Sequence, residues 1–115
     1  MDTITKLTQI LQERKNANPE DSYVSSLYLE GLEKILDKIS EESEETLEAA
    51  RDVRALNKES NEGASVRNDH LVHEVADLWF HTMVMLVHLN QDPSWVLEEL
   101  ESRFGISGHA EKAGR

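Results

Sequence analysis

Apolar residues recur three and four positions apart along most of this chain, and two-residue alternation is nearly absent. That spacing predicts helices, each with one apolar stripe. A first helix is expected over residues 3–16, with Ile4, Leu7, Ile10 and Leu11 on its stripe and Pro19 beyond its end. Residues 22–29 read as a turn or short helix and hold many hydroxyls: Ser22, Tyr23, Ser25, Ser26 and Tyr28. A second helix is expected over residues 30–56, a polar loop containing Gly63 over 57–68, and a third helix over 69–90. Asp92-Pro93 then has the form of an N-cap followed by proline at the first helical position. The fourth helix should end near Phe104, with Gly105 as its C-cap and a small polar tail after it. The pattern predicts one all-α domain over residues 1–115, an antiparallel bundle of four to five helices. A helical chain this short tends to complete its core by self-association, so a homodimer is the expected form.

Turning the second helix at about 100° per residue places Leu32, Ile35, Leu36, Ile39, Ser43, Thr46 and Leu47 on the inward stripe. Glu41, Glu44 and Glu48 fall opposite, toward solvent, whereas Glu42 and Glu45 flank the stripe with Lys38 on the same edge. The third helix is apolar around most of its circumference, from Leu71 through Trp79 and Phe80 to Leu89, so it should be buried on nearly all sides. One narrow polar strip remains on it: His70, Glu74, Asp77, His81 and His88. Carboxylates are rarely buried unless paired or metal-bound. Glu74 and Asp77 therefore need partners. These can be the cations Arg51, Arg54 or Lys38, or a metal ion.

The second and third helices each carry carboxylates three residues apart, Glu42 with Glu45 and Glu74 with Asp77, and such pairs share a helix face. If the helices pack together, four carboxylates converge, and that many like charges persist only when protons or metal neutralise them. An all-oxygen donor set suits a hard cation, Mg²⁺ above all. Di-iron bundles need a glutamate with histidine three residues later, which is absent here, as is the zincin His-Glu-x-x-His.

Charge and composition narrow the field further. The formal net charge of −11 disfavours nucleic acid as a partner. With no cysteine, there is no disulfide framework and no thiolate metal site. No signal-peptide core opens the chain, and the most apolar stretch, residues 75–89, holds Asp77 and two histidines and is not a membrane span. These features together read as a soluble cytoplasmic protein.

Glu41-Glu42-x-x-Glu45 followed by Glu74-x-x-Asp77 resembles the signature of the all-α nucleoside triphosphate pyrophosphohydrolases. The surroundings are more specific. Glu13-Arg14-Lys15, Pro19, Ser22-Tyr23, Ser26-Leu27, Gly31-Leu32, Lys34-Ile35, Lys38-Ile39, the run from Ala76 to His81, and the ending from Arg103 to His109 with Glu111-Lys112-Ala113 resemble the phosphoribosyl-ATP pyrophosphohydrolase family. The resemblance spans nearly the whole chain and departs at Ser40, where the family often has glycine, and in the 57–68 loop. It implies Mg²⁺-dependent hydrolysis of phosphoribosyl-ATP to phosphoribosyl-AMP and pyrophosphate, the second step of histidine biosynthesis, by a cytoplasmic helical oligomer.

Phosphoryl transfer asks a protein mainly for positioning and electrostatics. Glu42, Glu45, Glu74 and Asp77 are the expected metal ligands. Glu41 is an outer ligand, a base or a solvated residue. Lys38 either meets a phosphate oxygen or pairs with Glu42 or Glu45. His81, one turn beyond Asp77, contacts substrate or hydrogen-bonds behind the site. The resemblance adds Arg14, Lys15, Ser22, Tyr23, Arg103, Ser107, Lys112 and Arg115 as candidates for the substrate's second phosphate. Two rival readings are a house-cleaning pyrophosphohydrolase for free nucleotides and a non-catalytic acidic helical module that binds other proteins.

Overall fold

A computed structural model describes residues 1–60 and 66–104 of the chain. Five α-helices follow one another: α1 Thr3–Glu13, α2 Tyr23–Glu30, α3 Leu32–Ser60, α4 Asp69–His88 and α5 Ser94–Glu101, with a 3₁₀ turn Arg14–Asn16 after α1. Among the described residues there is no strand, and no helix is long and apolar enough to cross a membrane.

Side-chain caps set several helix starts. Asp2 accepts the Thr5 N–H at 2.8 Å, Ser22 the Ser25 N–H at 3.1 Å, and Asn68 the Leu71 N–H at 2.9 Å. Asp92 accepts the Ser94 N–H at 2.8 Å. Regular α5 begins at Ser94, one residue after the expected start, and ends at Glu101, with turns continuing to Phe104. The hydroxyl-rich segment is helical as α2. Helix α3 continues to Ser60, into residues expected to be loop. No glycine or proline interrupts Asn57–Ser60, so their polarity alone does not end the helix.

Between α2 and α3 the chain turns at Gly31, with φ 97° and ψ 179°. Only glycine occupies that region readily. A Cβ there would meet nothing within 4 Å, so any cost of Gly31→Ala is backbone strain rather than collision. The expected loss is about 1–3 kcal/mol, measured by chemical denaturation.

Helices α3 and α4 form the main pair and run antiparallel. Thr46 of α3 reaches the Glu74 carbonyl of α4, while Glu42, one turn earlier, feels the charge of Asp77, one turn later. The core sits at one end of this pair, where α1 and α2 cover it. Leu11, Val24, Leu27, Ile35, Met83, Val84 and Val87 are its buried members. Tyr28 ties α2 to α1 by donating to the Leu11 carbonyl at 2.9 Å, and burial pushes its phenol up to about 12.

Two expectations about burial need correction. Leu36 and Leu47 of the predicted inward stripe are exposed, while Ala49 is buried in their place. Within one chain, helix α4 is not covered on nearly all sides: Trp79 is 64% exposed and Val72 45%. Helices α1 and α2 are short and gathered at one end, and among the described residues the α5 segment only borders Trp79 across an open groove.

Candidate active site

The α3–α4 pairing brings three of the four predicted carboxylates together. Oxygen atoms of Glu42, Glu45 and Glu74 lie within 4.8 Å of one another. Glu42 and Glu74 are buried, at 6% and 8% exposure, and Glu45 closes the group from the solvent side. Among the described residues, the Oε2 atoms of Glu42 and Glu74 are buried without a hydrogen-bond partner. Thr46 holds the backbone around them, donating to the Glu42 carbonyl at 2.8 Å with the Glu74 carbonyl 3.3 Å away.

Unpartnered buried carboxylates are costly, and protonation relieves the cost. Burial, followed by the contact with Glu45 and its charge, pushes Glu42 up to about 6. The same causes raise Glu74, against the opposing charges of His70 and His73. The sign of the linkage follows: the folded chain binds the Glu42 proton more tightly than the unfolded chain does. Stability from this residue is therefore greatest below the ordinary glutamate range and is lost as pH rises from about 4.5 toward 6. Thermal melts of the metal-free chain across that window are expected to show the loss, and Glu42→Gln should flatten it.

Asp77 lies outside the three-carboxylate group. It pairs instead with His73, Nε2 to Oδ2 at 3.2 Å, and His70 Nδ1 lies 3.8 Å from Glu74. These histidines, one turn before each carboxylate, replace the expected partners Arg51, Arg54 and Lys38. His73 was missing from the predicted polar strip, although its i,i+4 spacing to Asp77 is visible in the sequence. Lys38 pairs with Glu41 at 3.1 Å rather than with Glu42 or Glu45. Glu41 itself faces outward, as expected.

His81 is 5% exposed, with Nδ1 at 2.8 Å from the Asp77 carbonyl and Nε2 at 2.8 Å from the Tyr23 hydroxyl. Tyr23 stands within electrostatic reach of Lys38, Glu42, Glu41 and Asp77, and burial raises its phenol despite Lys38. Ser22, by contrast, is engaged as the cap of α2.

The resemblance sets the phosphate-binding cations outside the carboxylate group, and among the described residues Lys15 lies well away from it. Lys15 donates to Asn90 at 3.0 Å, beyond the far end of α4 from Glu74, with exposed Arg14 beside it in sequence. Sixteen residues of helix-like rise separate Glu74 from Asn90, roughly 24 Å. Arg103 pairs with Glu99 at 3.5 Å. Ser107, Lys112 and Arg115 lie outside the described residues, as does the Gly105 cap.

The family model described as phosphoribosyl-ATP pyrophosphohydrolase matches residues 4–104. The chain belongs to that family. Membership implies a pyrophosphohydrolase acting on a nucleotide, and the matched span includes every helix that builds the carboxylate group. In a member of this family, three convergent carboxylates with two unpartnered buried oxygens could hold a divalent cation. The all-oxygen donor set fits a hard ion better than a soft one.

Proposed function

We propose that this chain hydrolyses phosphoribosyl-ATP to phosphoribosyl-AMP and pyrophosphate with Mg²⁺, as the second step of histidine biosynthesis in the cytoplasm. The observation that carries the reading is the convergence of Glu42, Glu45 and Glu74, with two unpartnered buried oxygens, in a chain of this family. Glu42, Glu45 and Glu74 would hold the ion, with Asp77 one turn away free to join by leaving His73. When bound, such an ion neutralises phosphoryl charge and acidifies water.

The chain's own residues do the rest. Water adds to phosphorus as the bridge between the first and second phosphates breaks, and the carboxylate group fixes where that happens. Lys38 sits on the rim beside Glu41 and can release that exposed partner for a phosphate oxygen, because a surface pair of this kind contributes only about 0–1 kcal/mol. No cysteine is present to act as a nucleophile, so direct attack by water is the economical route.

Pyrophosphate release tests the reading. Purified protein with Mg²⁺ is expected to turn over phosphoribosyl-ATP in strong preference to ATP, dCTP and dUTP. Equal turnover of dCTP or dUTP would make it a house-cleaning enzyme, and no turnover of any nucleotide would make it a non-catalytic module.

The proposal includes a homo-oligomer, most simply a two-fold dimer. Trp79 stands between two apolar grooves. One is lined by Ile4, Met83, Leu86, Pro93, Val96, Leu97 and Leu100, and the other by Leu71, Val72, Val75 and Ala76. A second copy would cover both.

A further inference from the structure

We propose that His81 is a positioning residue that turns the Tyr23 hydroxyl proton away from the carboxylate group, so that Tyr23 meets the nucleoside part of the substrate and not its polyphosphate. The inference deepens the pyrophosphohydrolase reading and rests on it. Its basis is the direction of two hydrogen bonds.

A backbone carbonyl only accepts. With the Asp77 carbonyl 2.8 Å from Nδ1, the His81 ring carries its proton on that nitrogen. In the neutral ring Nε2 is then bare and can only accept. The Tyr23 hydroxyl, 2.8 Å away, therefore donates to it. Each of its neighbours holds the buried imidazole in this orientation: the Asp77 carbonyl on one side, Tyr23 on the other, and the Phe80 ring edge-on at 5.4 Å.

Tyr23 has one O–H to donate, and it is directed at His81 Nε2. What the phenol oxygen offers outward is lone pairs. Polyphosphate oxygens are deprotonated at neutral pH and also offer only lone pairs, so Tyr23 and a phosphate oxygen make no hydrogen bond. The donors of a nucleotide lie on its sugar hydroxyls and base nitrogens. Tyr23 is half exposed and stands at the edge of the acidic group, beside Lys38, Glu42 and Asp77. The geometry points to a specificity contact there: an acceptor for a hydroxyl or N–H of the nucleoside, held in one proton orientation by a buried histidine.

The test is calorimetric titration of the Mg²⁺-loaded protein with AMP and, separately, with inorganic pyrophosphate. Tyr23→Phe removes only the hydroxyl from a half-exposed ring, so folding is preserved. It is expected to weaken AMP binding about threefold to tenfold, the scale of one neutral hydrogen bond, and to leave pyrophosphate binding unchanged. His81→Leu should reproduce that loss and add nothing in the Tyr23→Phe background. His81→Gln, which keeps an acceptor near the Nε2 position, should restore most of the affinity. A merely structural role for His81 would weaken both ligands and add to Tyr23→Phe. Pyrophosphate binding weakened as much as AMP binding, or neither changed by Tyr23→Phe, overturns the proposal. If the selective loss is present but phosphoribosyl-ATP is not hydrolysed, the substrate reading fails while the Tyr23–His81 pair stands.

Discussion

Glu74→Gln is expected to abolish pyrophosphate release while making the metal-free chain more stable. The two effects have one cause. Glu74 is 8% exposed, and its Oε2 has no hydrogen-bond partner among the described residues. Near neutral pH its charge faces those of Glu42 and Glu45, within 4.8 Å. An amide has nearly the same shape and no charge. It relieves the repulsion in the empty protein and removes a ligand from the proposed ion. Turnover should fall roughly 100-fold or more, the scale of losing one pre-organised electrostatic contact in a phosphoryl-transfer site. The thermal shift expected from millimolar Mg²⁺ in the wild type should shrink with it. Circular dichroism should show unchanged helix content. Glu42→Gln should behave alike, whereas Glu41→Gln, at an outward residue paired with Lys38, should cost far less. Near wild-type turnover by Glu74→Gln would falsify the assignment of this residue.

Trp79→Glu is expected to turn the proposed homo-oligomer into a monomer. The indole is 64% exposed in one chain, in the middle of α4, with apolar grooves on both sides. Tryptophan carries up to about 250 Å² of surface, so covering the exposed part buries roughly 160 Å², worth about 4 kcal/mol at 25 cal/mol per Å². Replacing it with a charge forfeits that term and places a carboxylate in the interface, a weakening of about a thousandfold in association. Sedimentation at low micromolar concentration reads the result directly. A wild-type chain that sediments there as a folded monomer would show that α4 tolerates its exposed indole, and the homo-oligomer would be lost.

Much of the architecture was legible in the residues. Apolar spacing of three and four placed the longer helices α1, α3 and α4, because a 3.6-residue period is a local property of the chain and survives in any packing, while α2 read as a turn or short helix. One cap was legible too: Asp92 before Pro93 marked the start of α5 to within one residue, whereas the caps Asp2, Ser22 and Asn68 were not read. The pairing of Glu42, Glu45 and Glu74 was also anticipated, since i,i+3 spacing puts each pair on one face, and two apolar stripes must meet.

Which charges pair was not legible. Asp77 shares a helix face with Glu74, yet it leaves the group for His73, and Lys38 goes to Glu41. Each choice was settled by an i,i+4 or i,i+3 neighbour, and sequence spacing offers several such neighbours for every charged residue. Where Arg14 and Lys15 lie along the bundle was not legible either: Lys15 ends beside Asn90, past the end of α4.

The amino-acid sequence by itself determined the all-helical class, the course of the long helices and the family, because these depend on residue order and on periods of a few residues. Tertiary structure alone decided that Glu42 and Glu74 lose water together and that the Tyr23 hydroxyl meets the His81 ring, because both depend on how α2, α3 and α4 meet. Desolvation and hydrogen-bond direction belong to groups brought together across helices, 58 residues apart in the case of Tyr23 and His81.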